Sequence, residues 1–149
     1  MLHYTIRKGK TSDKQWLFEL YSLTLRAAIE ATWGWDVEFQ FNLFSEHLQP
    51  EKFEILLIED KPIGGFYVVQ HADHFWLEML LIHPGYQGRG IGKRIVRQIQ
   101  RTSASKNKVL KLCVIKANPV RLFYEKLGFK VYDEDKAFYQ MRCETQVTR

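Results

Sequence analysis

The sequence predicts an α/β (α+β) fold in which a mixed central sheet of six to seven strands is flanked by about four helices. Two observations carry that expectation. β-rich runs and amphipathic helical patterns alternate in the order β-α-α-β-β-β-α-β-α-β-β, and a chain of 149 residues that is 46% hydrophobic and 14% aromatic is enough to fill a sizeable core. One domain over 1–149 is expected, with no internal repeat, low-complexity tract or linker.

Tyr4 to Arg7 reads as a short first strand. Ser12 and Gln15 then make a capping-box pattern, and Trp16, Leu17, Leu20, Tyr21, Thr24, Ala28 and Ala31 follow at helical spacing, ending near Trp33-Gly34-Trp35. Val37 to Leu48 is a second, weaker helical pattern stopped by Pro50. Phe53 to Ile58 reads as a strand closed by the turn Asp60-Lys61-Pro62. Ile63 to Gln70 and Phe75 to Ile82 are joined by four residues, His71 to His74, and should pair as an antiparallel hairpin. From Gly92 a helix places Ile91, Ile95, Val96 and Ile99 on one face and Lys93, Arg94, Arg97 and Gln98 on the other. Val109 to Ile115 is a buried-type strand. Asn118-Pro119 offers an N-cap and a proline at N1 to a helix that Gly128 ends, and Val131 to Asp133 with Phe138 to Arg142 complete a final hairpin.

The formal charge of +5 suits an anionic partner. Bulk charge does not choose between nucleic acid, membrane and phosphorylated small molecule, but the cluster Arg89, Lys93, Arg94, Arg97 and Arg101 sits at a glycine-rich loop. In Gln87-Gly88-Arg89-Gly90-Ile91-Gly92, glycines between a strand and a helix let backbone N–H groups turn toward a phosphate at the helix N-terminus. No Gly-Lys-Ser/Thr closes it as in a Walker A loop, and G-x-G-x-G replaces the Rossmann spacing.

The stretch Leu80 to Gly92 resembles the acetyl-CoA signature of GNAT acetyltransferases, Gln/Arg-x-x-Gly-x-Gly/Ala preceded by an apolar strand and a proline. Asn118 to Phe129 is similar to the same family's later motif. The resemblance implies a GNAT-like single domain and an acetyl-CoA-dependent N-acetyltransferase acting on a primary amine of a small molecule or peptide. On the same scaffold a non-catalytic acyl-CoA-binding regulatory module is the alternative. By that resemblance the loop residues Gln87, Gly88, Arg89, Gly90, Ile91, Gly92 and Lys93 hold the pyrophosphate. Main-chain groups of Leu80 and Ile82 pair with the pantetheine, and an N–H near Leu81 or Ile82 polarises the thioester carbonyl. Tyr124 matches the family's tyrosine and would protonate the leaving thiolate, while Asn118 is either an N-cap or a cofactor contact.

Glu78 is the leading base, on the period-two expectation that it shares a face with Leu80 and Ile82; another carboxylate or water is the alternative. Some relatives that acetylate peptide N-termini carry a glutamate at the position of Cys113, which weakens that reading here. A lone cysteine in an apolar strand reads as a small core residue, and Cys113 and Cys143 as two free thiols. The acceptor should meet Glu30, Trp33 and Trp35, with Arg26, Asp36 and Phe39 nearby, an acidic and aromatic wall for a cationic amine.

His71-x-x-His74 reads as a solvated turn, and no metal is expected. No nucleic-acid-binding motif accompanies the basic helix, so no nucleic-acid partner is expected. No apolar run approaches the roughly 20 residues that cross a bilayer, and MLHYTIRKGK lacks a signal peptide's apolar stretch, so a cytoplasmic protein without a membrane partner is expected. A homodimer is one assembly it allows.

Overall fold

A computed structural model describes residues 3–143; residues 1–2 and 144–149, into which the expected domain over 1–149 extends, lie outside the described residues. Seven strands, β1 (Thr5–Lys8), β2 (Glu54–Ile58), β3 (Lys61–Gln70), β4 (His74–Ile82), β5 (Val109–Ile115), β6 (Lys130–Glu134) and β7 (Phe138–Cys143), form one sheet in the order β1-β2-β3-β4-β5-β7-β6. Four α-helices accompany it: α1 (Lys14–Trp33), α2 (Val37–His47), α3 (Ile91–Ser105) and α4 (Arg121–Lys126). Every neighbouring pair is antiparallel except β4–β5, which is parallel because α3 carries the chain across the sheet between them. The expected α/β (α+β) architecture is therefore the one observed.

The helices split the core in two. On the α3 side, Ile91, Ile95, Val96 and Ile99 pack with Phe75, Leu77, Leu110, Leu112, Tyr124 and Phe129. On the other side, Leu17, Phe18, Leu20, Tyr21 and Ile29 of α1 pack with Phe44, Phe53, Ile55 and Leu81.

Two helix starts differ from the sequence reading. A 3₁₀ turn, Thr11–Asp13, precedes α1, and Asp13 anchors the helix in place of the expected Ser12 and Gln15 box. The Asp13 carboxylate accepts from Arg7 at 2.8 and 2.9 Å, from the Trp16 indole at 2.7 Å and from the Lys10 backbone at 2.9 Å. The Arg7 hydrogen bond holds its carboxyl far below the usual carboxylate range, against the opposing effect of burial. Four donors on one carboxylate outweigh what the Ser12 hydroxyl could offer. At α4, Asn118 Oδ1 accepts from the Val120 N–H at 3.1 Å, so its turn closes before the helix, which begins at Arg121 and ends at Lys126; its C-cap is Leu127 rather than the expected Gly128, which follows with φ +96°.

Candidate active site

The site grows from a fault in the sheet. β4 and β5 pair at only three positions, His74↔Val109, Phe75↔Leu110 and Trp76↔Lys111. Beyond them β4 stays bonded to β3 as far as Ile82, and β5 to β7 as far as Ile115, so a wedge opens between the two central strands. A bulge lies at its apex. Tyr67 pairs with Met79 and Val68 with Leu77, which leaves Glu78 as the extra residue. A bulge sharpens local twist and reverses the side-chain alternation after it. Accordingly Phe75 and Leu77 pack on the α3 side before it and Leu80 and Ile82 after it, while Met79 and Leu81 turn to the α1 side.

The period-two expectation for Glu78 therefore does not carry through the bulge at which it stands. The groups on which its carboxylate acts are Tyr67, which packs on the α1 side, and Cys113. Burial first and the Glu78 charge second push the Tyr67 hydroxyl up. Cys113 is exposed rather than a core residue, since Leu112 and Val114 take the buried face of β5.

At the mouth of the wedge lies the glycine loop. The N–H groups of Gly88, Arg89, Gly90, Ile91, Gly92 and Lys93 carry no hydrogen bond within the described residues; the first helical bond of α3 runs from the Arg94 N–H to the Gly90 carbonyl at 3.1 Å. A helix N-terminus with unclaimed donors attracts anions. Gly88 and Gly90 have φ of +75° and +84°, which glycine adopts without strain, and a Cβ on either would project into open space. The resulting cradle is fixed from below. Gln87 Nε2 donates to the Ile82 carbonyl at 2.8 Å, tying the start of the loop to the end of β4.

Two cavities meet at this point. One of about 470 Å³ is lined by Gln87, Gly88, Gly90, Gly92, Lys93, Leu80, Ile82, Asn118 and Tyr124. The other, about 740 Å³, runs from Leu80, Asn118 and Tyr124 under α1 and α2 to Trp33, Phe39 and Phe138. Tyr124 is thus common to both. It is 7% exposed, burial pushes its phenol well above the ordinary tyrosine range, and its hydroxyl makes no hydrogen bond within the described residues.

Residues 50–131 match the family described as Acetyltransferase (GNAT) domain. A ribosomal protein bS18-alanine N-acetyltransferase of Haemophilus influenzae is 31% identical over 105 residues, 69% of this chain and 72% of the relative. The chain belongs to the GNAT acetyltransferase family. It is accordingly an acetyl-CoA-dependent acyltransferase. Its fold is also that of the PaiA N-acetyltransferase of Thermoplasma acidophilum solved with coenzyme A, with a TM-score of 0.77 at 22% identity, covering 96% of this chain and 99% of that one. The ribosomal-protein-S18-alanine N-acetyltransferase of Escherichia coli superposes with a TM-score of 0.69 at 17% identity over 99% of this chain and 97% of its own.

Within this GNAT chain the remaining expected site residues divide. Leu81 and Ile91 are each 1% exposed, so neither side chain faces the wedge or the loop. Arg89 stands outside both cavities with its guanidinium 5.5 Å from the Tyr86 ring centre. Of the expected acceptor residues, Trp33 and Phe39 line the larger cavity, but Glu30 and Trp35 do not. Glu30 lies one helical step away, with an oxygen 3.6 Å from Arg26, and Trp35 packs on Tyr21 at 6.4 Å beneath Arg26. Asp36 caps α2, accepting from the Phe39 N–H at 3.0 Å. An acidic wall is therefore absent where it was expected, because those carboxylates serve the helix surface and the cap.

The stripe that does line the cavity is Tyr21, Leu25, Ile29 and Trp33, four residues apart along α1. That spacing was available in the sequence and identifies the cavity face directly. Gln40 was also missed: it is 6% exposed and accepts the Tyr21 hydroxyl's hydrogen bond at 2.9 Å. Among the described residues, no helix is long and apolar enough to cross a membrane.

Proposed function

We propose that this chain transfers an acetyl group from acetyl-CoA directly to the primary amine of a small molecule or peptide. The observation that carries the reading is the run of unclaimed amides from Gly88 to Lys93 opening onto a split sheet with Tyr124 at the junction. The amides of this loop would bind the diphosphate, and Lys93 would add a full positive charge. The thioester arm would lie in the wedge along the unpaired edge of β4 at Leu80.

In the reaction, the amine nitrogen attacks the thioester carbonyl carbon. A β4 backbone N–H near Leu81 or Ile82 stabilises the oxyanion. As the C–S bond breaks, the Tyr124 hydroxyl gives its proton to the sulfur, and burial supports this role by keeping the phenol protonated at neutral pH. Glu78, on the wall of the larger cavity, takes the proton lost by the amine directly or through water. The amine enters through that cavity; the bS18-alanine relative makes a peptide α-amine one acceptor type.

Gly90→Leu is the test. A side chain at the open face of the cradle should weaken acetyl-CoA binding tenfold or more by calorimetry, about 1.4 kcal/mol. Unchanged affinity would refute the phosphate assignment.

A further inference from the structure

We infer that the acceptor is a small amine bearing one positive charge on an apolar body, such as an arylalkylamine, rather than a polyamine or a polypeptide chain. This rests on the transferase reading above and specifies the substrate class of the same site.

The walls decide the charge. Leu25 and Ile29 of α1, Phe39 and Leu43 of α2 and Phe138 of β7 surround the cavity with hydrocarbon and aromatic surface. Glu78 is the one carboxylate lining it among the described residues. A single ammonium beside Glu78 has a partner. A second or third ammonium moved out of water would have none, and an unpaired buried charge is strongly unfavourable. The carboxylates that sequence position suggested for a cationic substrate, Glu30 and Asp36, are engaged elsewhere.

The rim decides the size. Trp33, at the last turn of α1, and Phe138, at the first residue of β7, meet with ring centres 5.5 Å apart, and both line the cavity. Their contact joins the helical wall to the hairpin wall. The cavity between these walls, about 740 Å³, is the size of a small-molecule site and takes an aromatic amine whole. Apolar surface on both rings would also cover an aromatic ligand.

The test measures thiol release from acetyl-CoA with 2-phenylethylamine, spermidine and a peptide with a free N-terminal alanine, alongside calorimetry for acetyl-CoA. The expected kcat/KM for phenylethylamine exceeds the other two by about tenfold or more. Trp33→Ala, at a residue 56% exposed and outside the smaller cavity, should raise KM for phenylethylamine about fivefold or more and leave acetyl-CoA affinity unchanged. Equal or faster turnover of spermidine or the peptide would overturn the inference, as would transfer to none of the three by a chain that binds acetyl-CoA. A chain that does not bind acetyl-CoA would overturn the transferase reading itself, a result that calorimetry separates from the ranking of amines.

Discussion

The two cavities are built on different principles. The smaller takes its donors from the backbone: they are the amides of Gly88 to Lys93, and its loop is shaped by glycines with positive φ and by the Gln87 side chain tied to the Ile82 carbonyl. The larger is almost wholly side chain, a stripe on α1 facing rings from α2 and β7. A backbone site tolerates many side-chain changes but few changes of chain conformation. A side-chain site does the reverse, so acceptor preference can diverge while phosphate binding is kept.

The sharpest test of that division is Tyr124, one of the residues that line both cavities. Tyr124→Phe should lower kcat by about 10²-fold or more while leaving acetyl-CoA affinity within about twofold, the pattern of a contact made only in the transition state. Because the phenol is held above its ordinary range, the wild-type rate should also show no alkaline fall through pH 10, where an unshifted tyrosine would already be half ionised. A falling limb centred near pH 10 that vanishes in the phenylalanine variant would contradict this buried-acid assignment.

Next in size is the anchor of the acceptor half. Asp13→Ala removes the acceptor of four hydrogen bonds at the start of α1 and should cost about 2 kcal/mol of stability in urea unfolding. Since the folded-state value is depressed, the Asp13 contribution is complete above the unfolded value of about 4 and is lost as the pH falls below it. The difference between wild type and variant should therefore shrink in acid; a difference that stays constant down to pH 2 would show that Asp13 acts by packing alone.

The smallest effect expected is at Glu30. Being outside the cavity and exposed, and paired among the described residues with Arg26, Glu30→Gln should change kcat/KM for any amine by less than about twofold. A larger loss would restore the acidic wall that the sequence suggested.

What was legible in the sequence follows the same boundary. The strand and helix order, the glycine cradle and the placement of Tyr124 depend on local signals: hydrophobic period, turn residues and a motif confined to adjacent positions. The bulge at Glu78 was not legible, because it is a mismatch between β4 and β3 and neither strand encodes it alone. Asp13 was obscured by the capping pattern of Ser12 and Gln15, and its true partner, Arg7, comes from the preceding strand. The choice of Trp33 over Trp35 was legible in principle. Trp33 continues the Tyr21, Leu25 and Ile29 spacing, whereas Trp35 lies past Gly34 and outside the helix.

The three-residue pairing of β4 with β5 has a thermodynamic consequence. A sheet split at its centre leaves main-chain groups that the two strands do not give each other, and a cofactor lying along β4 would take up some of them. Such a fold borrows part of its cohesion from solution, and its melting temperature should climb with the concentration of coenzyme A, by about 2.7 kcal/mol of added stability at a hundredfold excess over Kd.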